Sequence, residues 1–240
     1  PEPVEVLVPQ VDENLCTGCG ACARICQFNA IAVVRGKVLM FPELCHHCGA
    51  CVLVCKPDAL TEVTRCIGQI EQNEAGSFIQ GLLNIGEPSG LPILDAIKKR
   101  LDPDQPVLLD CPPGTACSVV KSLDGADFAL LVTEPTPFGL HDLTMAVDLV
   151  TQMNLPAGVV INKSGQDDEM IESFCKKRGL PVLLRIPFSR SIAENYAKGY
   201  LPVDTDPLWR ERYVDLFDQI RENFATHGCS QGQQQGGKDS

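Results

Sequence analysis

The sequence predicts an α/β protein in which helices cover a parallel sheet, with a small cysteine-rich domain near the start of the chain. Two observations predict this fold. Short apolar stretches alternate with stretches of helical periodicity from residue 107 onward, which is typical of a parallel sheet that is buried on both faces. Before them, two runs of four cysteines with identical spacing occupy residues 16–55. A length of 240 residues suits one or two domains.

The two cysteine runs, residues 16–26 and 45–55, are both spaced C-x-x-C-x-x-C-x-x-x-C and share the sequence Cys-Gly-Ala-Cys. This is the pattern of bacterial ferredoxins with two [4Fe–4S] clusters, in which three cysteines of one run and the last cysteine of the other ligate each cluster. The sequence therefore predicts two such clusters. The ligands of the first are Cys16, Cys19, Cys22 and Cys55, and those of the second are Cys45, Cys48, Cys51 and Cys26.

Two other uses of eight cysteines are weaker. Four disulfides would suit a secreted chain, but no signal peptide is present. Two zinc ions could be bound by C-x-x-C pairs, but a zinc ribbon does not need the third and fourth cysteine of each run.

Several residues inside the runs are expected to shape the sites. Gly20 and Gly49 permit unusual dihedral angles, so backbone N–H groups can point at the sulfurs. Gln27 and Lys56 stand where ferredoxins usually have proline, which leaves the ligands unchanged but is expected to shift the cluster potentials. The adjacent histidines 46 and 47 are expected to donate hydrogen bonds near a cluster.

Composition limits the partners. The net charge of −11 and a pI near 4.8 disfavour nucleic acid and anionic membranes and suit redox partner proteins with basic patches. No apolar run is long enough to span a membrane, and no targeting segment is present. Thirteen cysteines, most of them needed as thiolates, indicate a reducing cytoplasm.

The elements after residue 62 follow in a clear order. Residues 63–86 form two strands joined by the polar turn 72–76. The strands predicted for the parallel sheet are Val107–Asp110, Phe128–Thr133, Gly158–Asn162 and Val182–Ile186. The predicted helices are Leu91–Leu101, Leu140–Met153, Glu169–Arg178, Ile192–Lys198 and Leu208–Phe224. Ligands of such sheets bind at the carboxyl ends of the strands.

Distinctive residues stand at those carboxyl ends. Asp110 closes the first strand and is followed by Cys111-Pro112-Pro113-Gly114. Asn162-Lys163 closes the third strand, and Pro187-Phe188 follows the fourth. The order and placement of these motifs resemble the second phosphate-binding motif and the base-recognition segments of P-loop ATPases.

With the stretches LLDCPPGTACSVV and IPFSRSIAENYAKG, the chain resembles MinD/Mrp-family P-loop ATPases that contain an inserted ferredoxin domain. The resemblance implies a MinD-type, P-loop NTPase-like domain that binds ATP and Mg²⁺, and a homodimer or a heterodimer with a related ATPase. It implies that Asp110 acts at the Mg²⁺ switch. It also implies that nucleotide is bound by Pro112, Pro113, Gly114, Asn162, Lys163, Pro187 and Phe188.

The chain departs from this family in lacking the motif G-x-x-x-x-G-K-[ST], without which ATP and Mg²⁺ lose their main cradle. The nearest match, residues 81–86, continues Glu87-Pro88. We infer that the sequence is an N-terminally truncated form of a larger protein; the alternative is a natural variant that lost ATPase activity. ATP and Mg²⁺ binding is expected only with the missing segment.

The resulting domain prediction has four parts. Residues 1–12 are a leading strand of the NTPase-like domain, 13–62 the inserted ferredoxin domain, 63–228 the NTPase-like domain and 229–240 a disordered tail. Cys111 and Cys117 flank the Pro-Pro-Gly motif and are read as small buried thiols, with a labile cluster as the alternative.

Three functions remain open. The first is electron transfer coupled to, or regulated by, ATP. The second is ATP-independent electron transfer, with the α/β domain as a docking scaffold. The third, a carrier for iron–sulfur cluster assembly, is disfavoured because two complete four-cysteine sites would hold their clusters firmly.

Overall fold

The computed structural model describes residues 1–231, with side chains through residue 222. The chain folds into two compact units, one from Pro1 to Asp110 and the other beginning at Cys111. The predicted boundaries at residues 12 and 62 both fall inside the first unit.

The first unit contains five strands and three helices. They are β1 (Glu2–Val11), α1 (Ala21–Ile25), β2 (Ile31–Val34), β3 (Lys37–Met40), α2 (Ala50–Leu53), β4 (Leu60–Gln72), β5 (Ile79–Leu83) and α3 (Leu91–Lys98). A short 3₁₀ turn, Pro42–Leu44, precedes the second cysteine run.

The long strand β4 organises this unit. It pairs antiparallel with β1 over the whole length of β1 and with β5 on its other side, giving the sheet order β1-β4-β5. Alternate residues of β1, Val4, Val6 and Val8, are buried, as period-two side-chain alternation requires of a sheet with one covered face. They pack with Ile67 of β4 and Ile93 of α3.

This sheet bears on two expectations. The two strands predicted within residues 63–86, with their polar turn, are present as β4 and β5. Strand β1, expected to lead the NTPase-like domain, is paired here with β4 in the first unit.

Residues 16–31 and 45–60 repeat each other in structure as well as in sequence. Asn29 and Asp58, at equivalent positions, both have positive φ, 55° and 52°. Each is followed by a buried alanine, and Ile31 and Leu60 then begin strands β2 and β4. The repeat places the cysteines of the two runs in equivalent surroundings.

The second unit contains three strands and six helices among the residues described. They are α4 (Cys117–Leu123), β6 (Ala129–Thr133), α5 (Pro137–Gln152), β7 (Ala157–Ser164), α6 (Asp168–Arg178), β8 (Val182–Pro187), α7 (Arg190–Ala197), α8 (Pro202–Thr205) and α9 (Pro207–Gln231). The strands form a parallel sheet in the order β6-β7-β8.

The central strand β7 is buried on both faces. Val159 and Ile161 pack with residues of α5 and α6, whereas Val160 packs with Leu216 of α9. The near-continuous apolar sequence of β7 reflects this double covering. The predicted mixed α/β fold with a parallel sheet is therefore confirmed, and most predicted helices and strands match within a few residues.

The strand predicted at Val107–Asp110 was wrong. Residues 106–112 have no regular secondary structure, and Leu108 is 90% exposed. A strand exists only as part of a sheet, and none of the three described sheets includes this segment, so an apolar sequence alone does not make it a strand.

The predicted tail begins within α9, which includes residues 229–231. The remainder of that tail, residues 232–240, lies outside the described residues. In the part of the chain that the structure describes, no helix has the length and apolar character needed to cross a bilayer.

Candidate metal centres

Two cavities in the first unit are each lined by four cysteines. One is lined by Cys16, Cys19, Cys22 and Cys55, which we call the first cysteine set. The other is lined by Cys26, Cys45, Cys48 and Cys51, the second cysteine set. These are the two groupings predicted from the spacing, so each set contains three cysteines of one run and the last cysteine of the other.

The walls of both cavities are mostly apolar. Val11, Val38 and Leu60 line the first, and Ile31 and Met40 are among those that line the second. Thiolate donors in an apolar cavity match the ligand preference of iron–sulfur clusters. In the described residues, no three His, Cys, Asp or Glu side chains are arranged to hold a single metal ion, and the thiols of each set line a cavity wall instead.

Burial of the thiols follows the repeat. Cys22 and Cys51 are both 8% exposed and share one apolar core with Ile31 and Leu60. Cys19 and Cys48, by contrast, are both exposed. Each cavity thus has one side facing the common core and one side near solvent.

Left-handed glycines begin the short helices that carry the inner cysteines. Gly20 and Gly49 have φ values of 75° and 68° and precede α1 and α2. The Ala21 amide, directly after Gly20, acts to lower the pKa of the Cys19 thiol, and the Val52 amide, which donates to the Gly49 carbonyl at 3.0 Å, acts in the same sense on the Cys51 thiol. Backbone amides thus favour the thiolate at these two positions, in the sense expected from the sequence.

Protonation of the metal-free thiols depends on burial. Desolvation raises the pKa of Cys22 and Cys45, and that of Cys51 to about 11. The Ala21 amide, assisted by Thr17, lowers the pKa of the exposed Cys19. The buried thiols are therefore protonated near neutral pH, and binding iron as thiolates releases their protons.

The two sets differ at one position of the repeat. Gly18, between the first two cysteines of its run, has φ 66°, and a Cβ atom there would lie 2.4 Å from the Gly36 carbonyl oxygen. The equivalent residue of the second run is His47, with φ 58°. At this position the first run has a glycine packed against the backbone, whereas the second run has an imidazole side chain.

The expected side-chain donors near the second set take other roles. The ring of His46 stacks on Phe28, with centroids 3.8 Å apart. It is the backbone amide of His47 that donates a hydrogen bond to the Cys45 sulfur. The imidazole Nε2 of His47 is buried without a hydrogen-bond partner. Sequence inspection could place these residues in the loop but could not assign their contacts.

The predicted nucleotide residues of β7 and β8 lie at the carboxyl end of the parallel sheet. Lys163 has φ 54°, and its Nζ lies 2.7 Å from an oxygen of Glu134, which follows β6. The Phe188 amide donates to the Ser164 carbonyl at 3.1 Å, and the Phe188 ring is 75% exposed. The ends of the adjacent strands thus bring Asn162, Lys163, Pro187 and Phe188 into one region.

The switch-like residues lie elsewhere in the chain. Asp110 ends the first unit and is exposed, as are Pro112 and Pro113. Gly114 has φ 90°. Of the neighbouring cysteines, Cys111 is half-buried and Cys117 is exposed, so the expectation of a buried thiol is wrong for Cys117.

Similarity to known proteins agrees with the cysteine geometry. Residues 9–32 and 39–61 match the 4Fe-4S binding domain family. An uncharacterized protein of Methanocaldococcus jannaschii, MJ0579, is 31% identical over 73% of this chain, which spans 62% of its length. A second from the same organism, MJ0578, is 29% identical over 91% of this chain and 77% of its own.

A further relative from this organism is named an iron–sulfur cluster carrier protein. It is 26% identical over 48% of this chain and 46% of its own length. The chain thus carries a ferredoxin-type 4Fe–4S binding domain and has a mixed α/β fold.

Proposed function

We propose that the chain holds two [4Fe–4S] clusters, one on each cysteine set, and carries electrons one at a time between partner proteins. The observation that supports this most strongly is the sorting of eight thiols into two cavities of four. Each cluster in this proposal takes its fourth thiolate from the other run, Cys55 for the first and Cys26 for the second.

The burial pattern supports electron exchange through the two sites. Cys19 and Cys48 are exposed, so each cluster would have an edge that a partner can approach. Cys22 and Cys51 meet in a shared core, which offers a short path between the sites. The net charge of −11 favours partners with basic docking surfaces.

We propose further that ATP and Mg²⁺ regulate this electron transfer through the second unit. The family resemblance supports this proposal, as does the clustering of Asn162, Lys163 and Phe188 at the carboxyl end of the sheet, where α/β proteins bind ligands. By resemblance, the phosphate and Mg²⁺ side would involve Asp110 and the segment Pro112–Gly114. Dimerisation with a second copy or a related ATPase belongs to the same proposal.

Metal analysis and spectroscopy test both parts. The protein is expected to contain about eight iron and eight acid-labile sulfide per chain, with reduced-state EPR signals from two interacting clusters. In a form of the protein that also carries a segment with the motif G-x-x-x-x-G-K-[ST], adding ATP with Mg²⁺ is expected to change those signals or the potentials, whereas AMP is not. About four iron per chain would overturn the two-cluster proposal. Eight iron with no ATP response in that longer form would favour the ATP-independent carrier.

The relative named as a cluster carrier supports a second candidate, delivery of clusters to other proteins. Mixing the loaded protein with a metal-free acceptor protein distinguishes the two. An electron carrier is expected to retain its iron, because each set surrounds its cavity with four thiols and buries one of them in the core. Rapid, stoichiometric transfer of iron and sulfide would favour the delivery function.

A further inference from the structure

An ion pair with a buried carboxylate lies next to the loop that carries Cys45 of the second cysteine set. The Arg65 Nη2 of β4 lies 2.6 Å from Oε1 of Glu87, whose side chain is only 4% exposed. Glu87 is held in place by its amide, which donates to the Asn84 carbonyl at 3.3 Å, and Asn84 in turn donates to the Ile67 carbonyl at 2.9 Å. A carboxylate this buried is stable only with a charged partner, which Arg65 provides.

The same arginine is tied to the backbone of Cys45. Its Nη1 donates to the Pro42 carbonyl at 2.8 Å, and the Cys45 amide donates to that carbonyl at 3.1 Å. The guanidinium joins the Pro42 carbonyl through Nη1 and the Glu87 carboxylate through Nη2, so the positive member of the pair is the one hydrogen-bonded beside Cys45. The ion pair therefore presents its positive end to the second cysteine set.

The pair also lies near the imidazole of His47, the residue that distinguishes the second run from the first. His47 lies within electrostatic range of both Arg65 and Glu87. Glu87 Oε2 and His47 Nε2 are both buried and lack hydrogen-bond partners among the described residues. A buried carboxylate oxygen without a partner keeps its charge unscreened by water, so its field reaches further than that of a surface carboxylate.

The first set has a different electrostatic setting. The position of His47 is taken there by Gly18, which packs against the Gly36 backbone. The nearby cation is Arg24, which donates to the Cys19 carbonyl at 3.0 Å in an exposed position where solvent screens its charge. Two sites with equivalent ligands are thus placed next to unequal charges.

We propose that Arg65 and Glu87 set the reduction potential of the second site alone and make the two clusters electrochemically unequal. One-electron reduction adds one negative charge to a cluster and its thiolates. Arg65 stabilises that charge, and Glu87 offsets part of the stabilisation. This inference rests on the proposal that both cysteine sets hold [4Fe–4S] clusters.

Charge-neutralising variants of the full chain, followed by EPR-monitored potentiometric titration with dithionite, test this assignment. Glu87→Gln retains the size of the side chain and is expected to shift the potential of half of the reducible clusters to more positive values. Arg65→Gln is expected to shift the same half to more negative values. The double variant is expected to fall between them, and Arg65→Lys to stay near the wild type.

The ion pair Glu2–Arg100 of the same unit supplies a matched control, because the Glu2 side chain is 69% exposed and Glu2→Gln removes a carboxylate that solvent already screens. This variant is expected to leave both potentials unchanged. If Arg65→Gln loses iron, Glu87→Gln still decides the question, because it leaves no buried carboxylate unpaired.

The outcomes separate this inference from the proposed function. Suppose that the wild type and Glu87→Gln both contain about eight iron atoms per chain. Unchanged potentials in the variant, or an equal shift of both potentials, would then overturn the role of the ion pair but not the two-cluster proposal. About four iron in wild type would overturn the two-cluster proposal itself.

Discussion

Replacing Cys26 with Ser is expected to remove one cluster, so that iron falls from about eight to about four atoms per chain. The cluster lost is expected to be that of the second run, although Cys26 belongs to the first. The reason is that Cys26 lines the cavity of Cys45, Cys48 and Cys51, and not that of its own run. Iron and sulfide analysis with EPR of the reduced variant measures the loss.

Comparison variants identify which cluster disappears. Cys51→Ser is expected to leave the same EPR spectrum as Cys26→Ser, whereas Cys22→Ser is expected to leave the other cluster. Cys66→Ser is a suitable control, because Cys66 is an exposed thiol of strand β4 whose sulfur donates to the Gly68 carbonyl and lines neither cavity. A Cys26→Ser spectrum matching that of Cys22→Ser would contradict the exchange of fourth ligands.

The grouping of the eight cysteines was predictable because a local spacing rule carries it. The loop between Cys16 and Cys22 has few conformations that place three thiols around one cavity, and the repeat supplies the fourth from the other run. The sheet of the second unit was predictable for a similar reason, since the unbroken apolar sequence of β7 signals burial on both faces.

Other features depend on contacts that a sequence pattern does not reveal. The apolar residues 107–109 have the composition of a strand, but strand pairing requires a neighbouring strand that only the fold supplies. The alternating burial of strand β1 would fit any sheet with one covered face, so it does not identify the partner strand. The structure shows that partner to be β4, with Val8 opposite Val63.

The ion pair next to the Cys45 loop is the clearest case of a site that sequence reasoning missed. Arg65 and Glu87 are 22 residues apart in the sequence and belong to no motif, and the sequence marks Glu87 only as a residue unsuited to a phosphate-binding loop. One signal was available. His47 stands where the repeat has Gly18, and a bulky residue at a position of positive φ indicates that something nearby differs between the two loops.

Removing the clusters is expected to unfold the cysteine-bearing part of the first unit while its sheet stays folded. Cys22 and Cys51 are two of the four buried members of their core, so loss of the clusters leaves Ile31 and Leu60 beside two empty cavities. Helices α1 and α2 have only five and four residues and cannot persist alone. Hydrogen exchange after oxidation and chelation should show loss of amide protection at Ile31 and Cys51.

The neighbouring core gives the reason why unfolding should stop at the sheet. Val4, Val6, Ile67 and Ile93 pack together without contributing to either cavity, and β1 and β4 remain paired by backbone hydrogen bonds along ten residues of β1. Amides of Val6 and Ile67 are therefore expected to keep their protection, and those of Val159 in the second unit serve as an internal reference. Equal loss at Ile67 and Ile31 would mean that the clusters stabilise the whole first unit as one cooperative structure. Unchanged protection at Ile31 would mean that the loops fold without metal, and that little of the free energy of cluster binding is used to order the cysteines.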